Sequence, residues 1–263
     1  MKELLDKVAL SIARLKTFEP PDGYYLAFSG GKDSQVLYHV AQESGVKFDA
    51  HMNLTTVDPP EVIQFVRKYY KEVKLERPKE TMWRLIERKG FPPTQRIRYC
   101  CEELKERGGE GRYVITGIRS QESYKRSLRR MVEVCKFTHR QMLHPIIDWT
   151  EAEVWEYLNS RGIPHCELYD QGWHRIGCIM CPMGGPDRMK RDAARWPKVA
   201  RSYLMAFDRG INKAIRAGKI INNKTGKDMF AWWISGVSST CNRTDIKQSP
   251  LFFDADLGQV QDE

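Results

Sequence analysis

The spacing of apolar positions switches repeatedly between helical and extended patterns along the first half of the chain. In residues 1–17, Leu4, Leu5, Val8, Ile12 and Leu15 recur at helical spacing and predict an amphipathic helix. The run GYYLAF at 23–28 is short and continuously apolar, which predicts a buried strand. Residues 34–44 return to helical spacing through Val36, Leu37, Val40 and Ala41, and VKFDAHMNL at 46–54 predicts a second strand. PPEVIQFVRKYY then reads as a helix with proline in its first turn. KEVKLER reads as a short strand, TMWRLIERKG as a helix closed by glycine, and RYVITGI at 112–118 as another buried strand. Strands alternating with helical segments predict βαβ units, hence an α/β fold with a doubly wound, mostly parallel sheet. The strand signal fades after 143–162; residues 186–236 read as helices expected to pack against the sheet, and the tail from Ser238 has no clear period. The predicted organisation is an N-terminal helix at 1–18, an α/β domain at 19–185, and a basic helical region with an irregular tail at 186–263.

Composition narrows the class. A hydrophobic fraction of 41% and a charged fraction of 29% are ordinary for a globular chain. No apolar stretch approaches the roughly 18 residues of a membrane span, and the N-terminal pattern lacks the apolar core of a signal peptide, so a cytoplasmic protein is expected. The formal net charge of +9 favours polyanionic partners such as nucleotides or nucleic acid. Seven cysteines, an odd number, argue against a closed disulfide framework and towards metal-binding or reactive thiols.

Two patterns carry chemistry. The first is SGGKDS at 29–34, where the first strand enters a helix. Gly30 and Gly31 let the backbone turn tightly and approach an anion, and the N–H groups of the following helix point at negative charge. Lys32 adds a point charge, Ser29 and Ser34 offer hydroxyls, and Asp33 is a candidate to orient Mg²⁺ or cap the helix. The spacing is neither the GxxxxGK[ST] phosphate loop nor the GxGxxG dinucleotide fingerprint. The second pattern is Cys100 and Cys101 in RYCCEELK, with Cys178 and Cys181 in GCIMCP. Adjacent cysteines diverge and suit zinc poorly, whereas the separated iron corners of a [4Fe–4S] cluster accept them. A zinc site, a redox pair and buried thiols used as small hydrophobes stay open as alternatives. Cys135 and Cys166 read as core residues, and His144 and His174 as structural histidines.

SGGKDS resembles the PP-loop of the adenine nucleotide alpha-hydrolase superfamily, which grips ATP and splits it at the α-phosphate. The order of RYCCEELK, TGIRSQESYKRS, HPIIDWTEAEVWEYL and GCIMCP, from about residue 20 to about 185, resembles the phosphoadenosine phosphosulfate reductase-like family. Adenylylsulfate reductases of that group hold a [4Fe–4S] cluster by a CC…CxxC pattern. The resemblance implies Cys100, Cys101, Cys178 and Cys181 as cluster ligands, and Arg119 and Arg126 as part of an anion-binding segment. It implies an adenine nucleotide, ATP or adenylylsulfate, on Ser29, Gly30, Gly31, Lys32, Asp33 and Ser34, with Lys32, Asp33 and Arg119 as the catalytic group.

The pattern departs from the true reductases in two places. Their nucleophilic cysteine lies in a C-terminal ECGLH-like motif, which is absent here; the late cysteine is Cys241, in SSTCNRTD. The loop is also the intact form kept by ATP-binding members. Both departures imply ATP pyrophosphatase chemistry in sulfur transfer, like that of relatives acting on tRNA or DNA. A sulfur-donor protein, a nucleic-acid acceptor and a homodimer are the partners expected. The basic stretch from Arg188 to Lys219, with Trp196, Trp232 and Trp233, is the candidate nucleic-acid surface. The alternatives are a thiol-dependent sulfonucleotide reductase and a non-catalytic nucleotide- or redox-sensing subunit of a larger, mobile-element system.

Overall fold

The strand Tyr24–Ala27 (β1) lies at the centre of a six-stranded sheet in a computed structural model that describes residues 2–134, 140–218 and 225–236. Cys135, Cys241 and the C-terminal tail lie outside the described residues. The other strands are Phe48–Asn53 (β2), Lys74–Glu76 (β3), Val114–Thr116 (β4), Val132–Val134 (β5) and Gln141–Leu143 (β6). Their order is β3-β2-β1-β4-β6-β5, with β5 antiparallel to β6 and every other pair parallel. This is the predicted sheet. β5 and β6 go beyond the prediction, which names no strand between RYVITGI and residue 143.

Helices α1 (Lys2–Thr17), α2 (Lys32–Ser44), α3 (Pro60–Tyr69) and α4 (Met82–Lys89) occupy the predicted segments. Gly45 and Gly90 close α2 and α4 in the left-handed conformation that glycine adopts without penalty. A short helix, Tyr124–Ser127 (α5), follows β4, and α6 (Glu151–Ser160) starts from a capping box between Thr150 and Glu153. α1 packs against α2, and α2 against α6. Arg14 joins α1 to the segment that leads into α6, its Nη1 2.6 Å from Asp148 Oδ1 and 2.7 Å from the Pro145 carbonyl.

The C-terminal helices α7 (Gly185–Arg195), α8 (Pro197–Arg216) and α9 (Gly226–Ser235) are where predicted, but α8 packs against α4, α7 and α9 rather than on the sheet itself. The reason is a continuous aromatic seam: Tyr203 of α8 meets Trp83 of α4 edge to face, and Trp233 of α9 lies 4.8 Å from Tyr203. Two of the tryptophans expected to stack on bases are therefore core residues. Trp196 donates its indole N–H to Glu61, and Trp233 donates to the Pro93 carbonyl at 2.6 Å, both rings buried.

Candidate functional site

The sheet order reverses between β1 and β4, and a ligand-binding crevice forms at such a switch point beyond the carboxyl ends of the strands. A cleft of about 810 Å³ opens there. One wall is the glycine corner, through Ser29, Gly31, Asp33 and Ser34; another is basic, through Arg126, Arg129, Arg130, Arg140 and Arg175; Cys178 closes a third side.

The corner is built by two close approaches. Gly30 has φ +72°, and a Cβ there would stand 2.8 Å from Val62 Cγ1, so only glycine fits between β1 and α3. Gly117, just past β4, would put a Cβ 2.7 Å from the Asp33 carbonyl oxygen. Ser34 reaches back to hold the loop: its hydroxyl donates to the Gly31 carbonyl at 2.8 Å and accepts from the Ser29 N–H at 3.2 Å. Ser29 Oγ is 3.1 Å from Ser34 Oγ.

Two of the residues expected to catalyse do not line this cleft. Lys32 is 4% exposed, with its ammonium 3.3 Å from Glu151 Oε1 and donating to the His174 carbonyl at 3.2 Å. Arg119 is 2% exposed; its Nε donates to Asp33 Oδ1 at 2.6 Å and its Nη1 to the Trp149 carbonyl at 3.3 Å. Both cations are engaged by protein groups around the corner. Asp33 does line the cleft, with one oxygen paired to Arg119 at 2.6 Å and the other 3.9 Å from the Lys32 ammonium. The sequence reading misses Tyr169, which sits in ELYDQGW with no motif around it. Its hydroxyl accepts the Lys32 N–H at 2.9 Å, and its ring lines the cleft beside Gly31.

The arginine wall is braced by carboxylates. Arg126 pairs with Glu122, which also lies 4.0 Å from Arg175, and Arg129 pairs with Glu133. His144 is buried beneath this wall, its Nδ1 2.7 Å from Thr116 Oγ1, and burial pushes its pKa down. His174 contributes its carbonyl to Lys32.

All four cysteines of the two predicted pairs come to one region. Cys100 feels the charges of Cys101, Cys178 and Cys181. Cys100 and Cys101 open a single π-helical turn, Cys101–Lys105, and share a hydrogen bond that drives Cys101 down and Cys100 up. Burial pushes the Cys178 thiol up to about 11, and this thiol donates to Thr55 Oγ1 at 3.5 Å. The CxxC turn passes through Met180 at φ +57° and is held on both flanks. Ile179 N–H donates to the Val57 carbonyl at 2.8 Å, and Met180 N–H donates to Asp192 Oδ2 at 2.9 Å. The other oxygen of Asp192, a fully buried side chain, accepts from the Trp173 indole at 3.1 Å. The donor set, four thiols of which three act electrostatically on Cys100, is chemically suited to a cluster. Among the described residues, however, no three His, Cys, Asp or Glu side chains stand in a coordinating arrangement. Cys166 is core, as expected.

The profile of the phosphoadenosine phosphosulfate reductase domain family matches residues 23–184, which takes in every strand and both cysteine pairs. The chain belongs to this family. Among curated relatives, two uncharacterised proteins of Methanocaldococcus jannaschii are 32% and 30% identical over 79% and 70% of this chain. The chain spans about half the length of these relatives, since the matches cover 54% and 43% of them. An adenosine 5′-phosphosulfate reductase of Oceanobacillus iheyensis is 34% identical over 31% of this chain and 34% of its own length. Among solved structures, the phosphoadenylyl-sulfate reductase of Candida auris, a phosphate complex, superposes with a TM-score of 0.51 at 20% identity, covering 65% of this chain and 88% of that one. This last likeness establishes the reductase-domain fold. No helix among the described residues is long and apolar enough to cross a membrane.

Proposed function

We propose that this member of the phosphoadenosine phosphosulfate reductase domain family is an ATP pyrophosphatase that adenylates an acceptor for sulfur transfer. The observation that carries the reading is a single cleft bounded by the glycine corner, five arginines and Cys178. ATP enters with its phosphates towards Ser29–Ser34. An acceptor oxygen attacks the α-phosphorus, the bond to the bridging oxygen of the β-phosphate breaks, and pyrophosphate leaves with that electron pair. A sulfur nucleophile then displaces AMP from the adenylated acceptor. The chain's contribution to the first step is positioning and charge neutralisation, with Arg126 and its neighbours stabilising the phosphates. Lys32 and Arg119 act as positioning residues, keeping the Asp33 turn in place.

Cys100, Cys101, Cys178 and Cys181 would hold a [4Fe–4S] cluster, which when bound supplies a centre able to carry sulfide or accept electrons. The family membership and the convergence of the four thiols support this assignment. The net charge of +9 supports a nucleic-acid acceptor; the surface at issue is the arginine wall at the cleft, since Trp196 and Trp233 are taken up by the core. A sulfur-donor protein is part of the same reading.

The adenosine 5′-phosphosulfate reductases among the relatives favour a second reading, sulfonucleotide reduction with Cys241 or an external thiol as nucleophile. One anaerobic assay separates the two: the protein is given ATP or adenylylsulfate, with thioredoxin or glutathione present, and pyrophosphate and sulfite are both measured. Pyrophosphate and AMP from ATP, reduced at least tenfold by Arg126→Ala, is the expected result. Sulfite from adenylylsulfate, with no pyrophosphate from ATP, overturns the proposal in favour of the reductase; ATP binding without turnover overturns it in favour of a sensing subunit.

A further inference from the structure

A helix N-terminus meets an anion through its free N–H groups, yet here the first N–H of α2 is already taken. Lys32 N–H donates to the Tyr169 hydroxyl at 2.9 Å. That hydroxyl oxygen lies 3.4 Å from where a Cβ on Gly31 would stand, so it sits at the glycine corner itself. The oxygen uses a lone pair to accept the N–H, which leaves its own proton to donate. Tyr169 lines the cleft together with Ser29, Gly31 and Asp33. Its ring is pinned: Trp155 meets it edge to face at 5.0 Å, His165 packs at 6.1 Å, and the Lys32 ammonium lies 5.5 Å from its centroid.

We propose that Tyr169 is a phosphate-binding residue: its hydroxyl takes the Lys32 N–H and hands that donor capacity on to a phosphate oxygen of the bound nucleotide. The inference rests on the reading of the corner as a nucleotide-phosphate seat and adds to it a residue from the distant segment between α6 and the CxxC turn. Two physical features suit the task. Burial, with Asp33, Cys166 and Glu151 nearby, raises the phenol pKa far above neutrality, so the proton is present to be donated at any working pH. An O–H whose oxygen accepts a hydrogen bond is polarised into a stronger donor. The relay therefore projects the helix terminus further into the cleft than the backbone itself reaches.

The test is calorimetric titration of the full chain and Tyr169→Phe with inorganic pyrophosphate, AMP and adenosine. Phenylalanine keeps the ring packing and removes only the hydroxyl. Hydrogen bonds to charged groups imply that Tyr169→Phe weakens pyrophosphate and AMP about tenfold while adenosine affinity stays unchanged. That split is the signature of a phosphate contact, because a general loosening of the cleft would weaken adenosine as well. Equal pyrophosphate affinity in the two proteins overturns the role of Tyr169 and leaves the corner as an anion seat. Tighter pyrophosphate binding by Tyr169→Phe shows the hydroxyl to be a competitor of the phosphate, and overturns it too. Absence of pyrophosphate and nucleotide binding by the unaltered chain removes both this proposal and the reading beneath it.

Discussion

Arg119 is the residue on which the corner's charge balance turns. Its guanidinium is inside the protein and Asp33 is its partner at 2.6 Å, so Arg119→Ala leaves a half-buried carboxylate with only the more distant Lys32 ammonium and an empty volume behind it. The expected loss is about 3 kcal/mol of stability, read from urea unfolding; an unaltered midpoint would show the pair to be idle. Gly30→Ala forces a side chain into the left-handed region and against Val62, and should cost roughly 1–2 kcal/mol in the same measurement. Much of this corner was readable from SGGKDS alone, because a strand running into two glycines and a helix admits few geometries. The direction of Lys32 was not readable. Its partners, Glu151 and the His174 carbonyl, come from a helix and a loop far along the chain, and only the closed fold shows that they claim the ammonium. Tyr169 was invisible for the same reason.

At the scale of elements, α7 holds the CxxC turn through one carboxylate. Asp192 accepts from both Met180 N–H and the Trp173 indole. Asp192→Ala should free the turn, raising the rate at which a thiol reagent labels Cys178 and Cys181 by about tenfold or more, since a buried N–H left unpaired costs about 1–3 kcal/mol. Unchanged labelling would place the turn's rigidity elsewhere. The amino ends of the central strands are tied by a second carboxylate. Burial raises the pKa of Asp49, but hydrogen bonds from His51 and Arg112 outweigh it and hold the group down to about 2. Because the folded pKa is depressed, the stabilisation is present above about pH 4 and is lost as the pH falls towards 2. Thermal melts between pH 5 and pH 2 check this: Asp49→Asn should melt lower than the parent at pH 5, and the difference should close in acid. The helices and the strands β1 to β4 were legible from the apolar pattern. β5 and β6 were not, being held by neighbours: Val132–Val134 pairs with Gln141–Leu143, and the His144 N–H that follows donates to the Met131 carbonyl at 2.8 Å.

For the molecule as a whole, aromatic contacts cross the predicted boundary at residue 186. The seam of Trp83, Tyr203, Phe207 and Trp233 joins α4 to the C-terminal helices, and Tyr203 donates to the Ile179 carbonyl inside the CxxC turn at 3.4 Å. Urea unfolding followed by tryptophan fluorescence and by far-ultraviolet dichroism should therefore give coincident transitions; two separated transitions would mean that α8 and α9 fold apart from the sheet. Two arginines of the C-terminal helices are paired with the body of the protein, Arg195 with Glu61 and Arg209 with Glu87. Gly117 sets the gauge of the crevice: its missing methyl group lets the end of β4 rest directly on the first turn of α2. Any larger residue there would act as a spacer, parting the serine-bearing lip from the arginine-bearing one, so that a nucleotide spanning both would touch only one at a time.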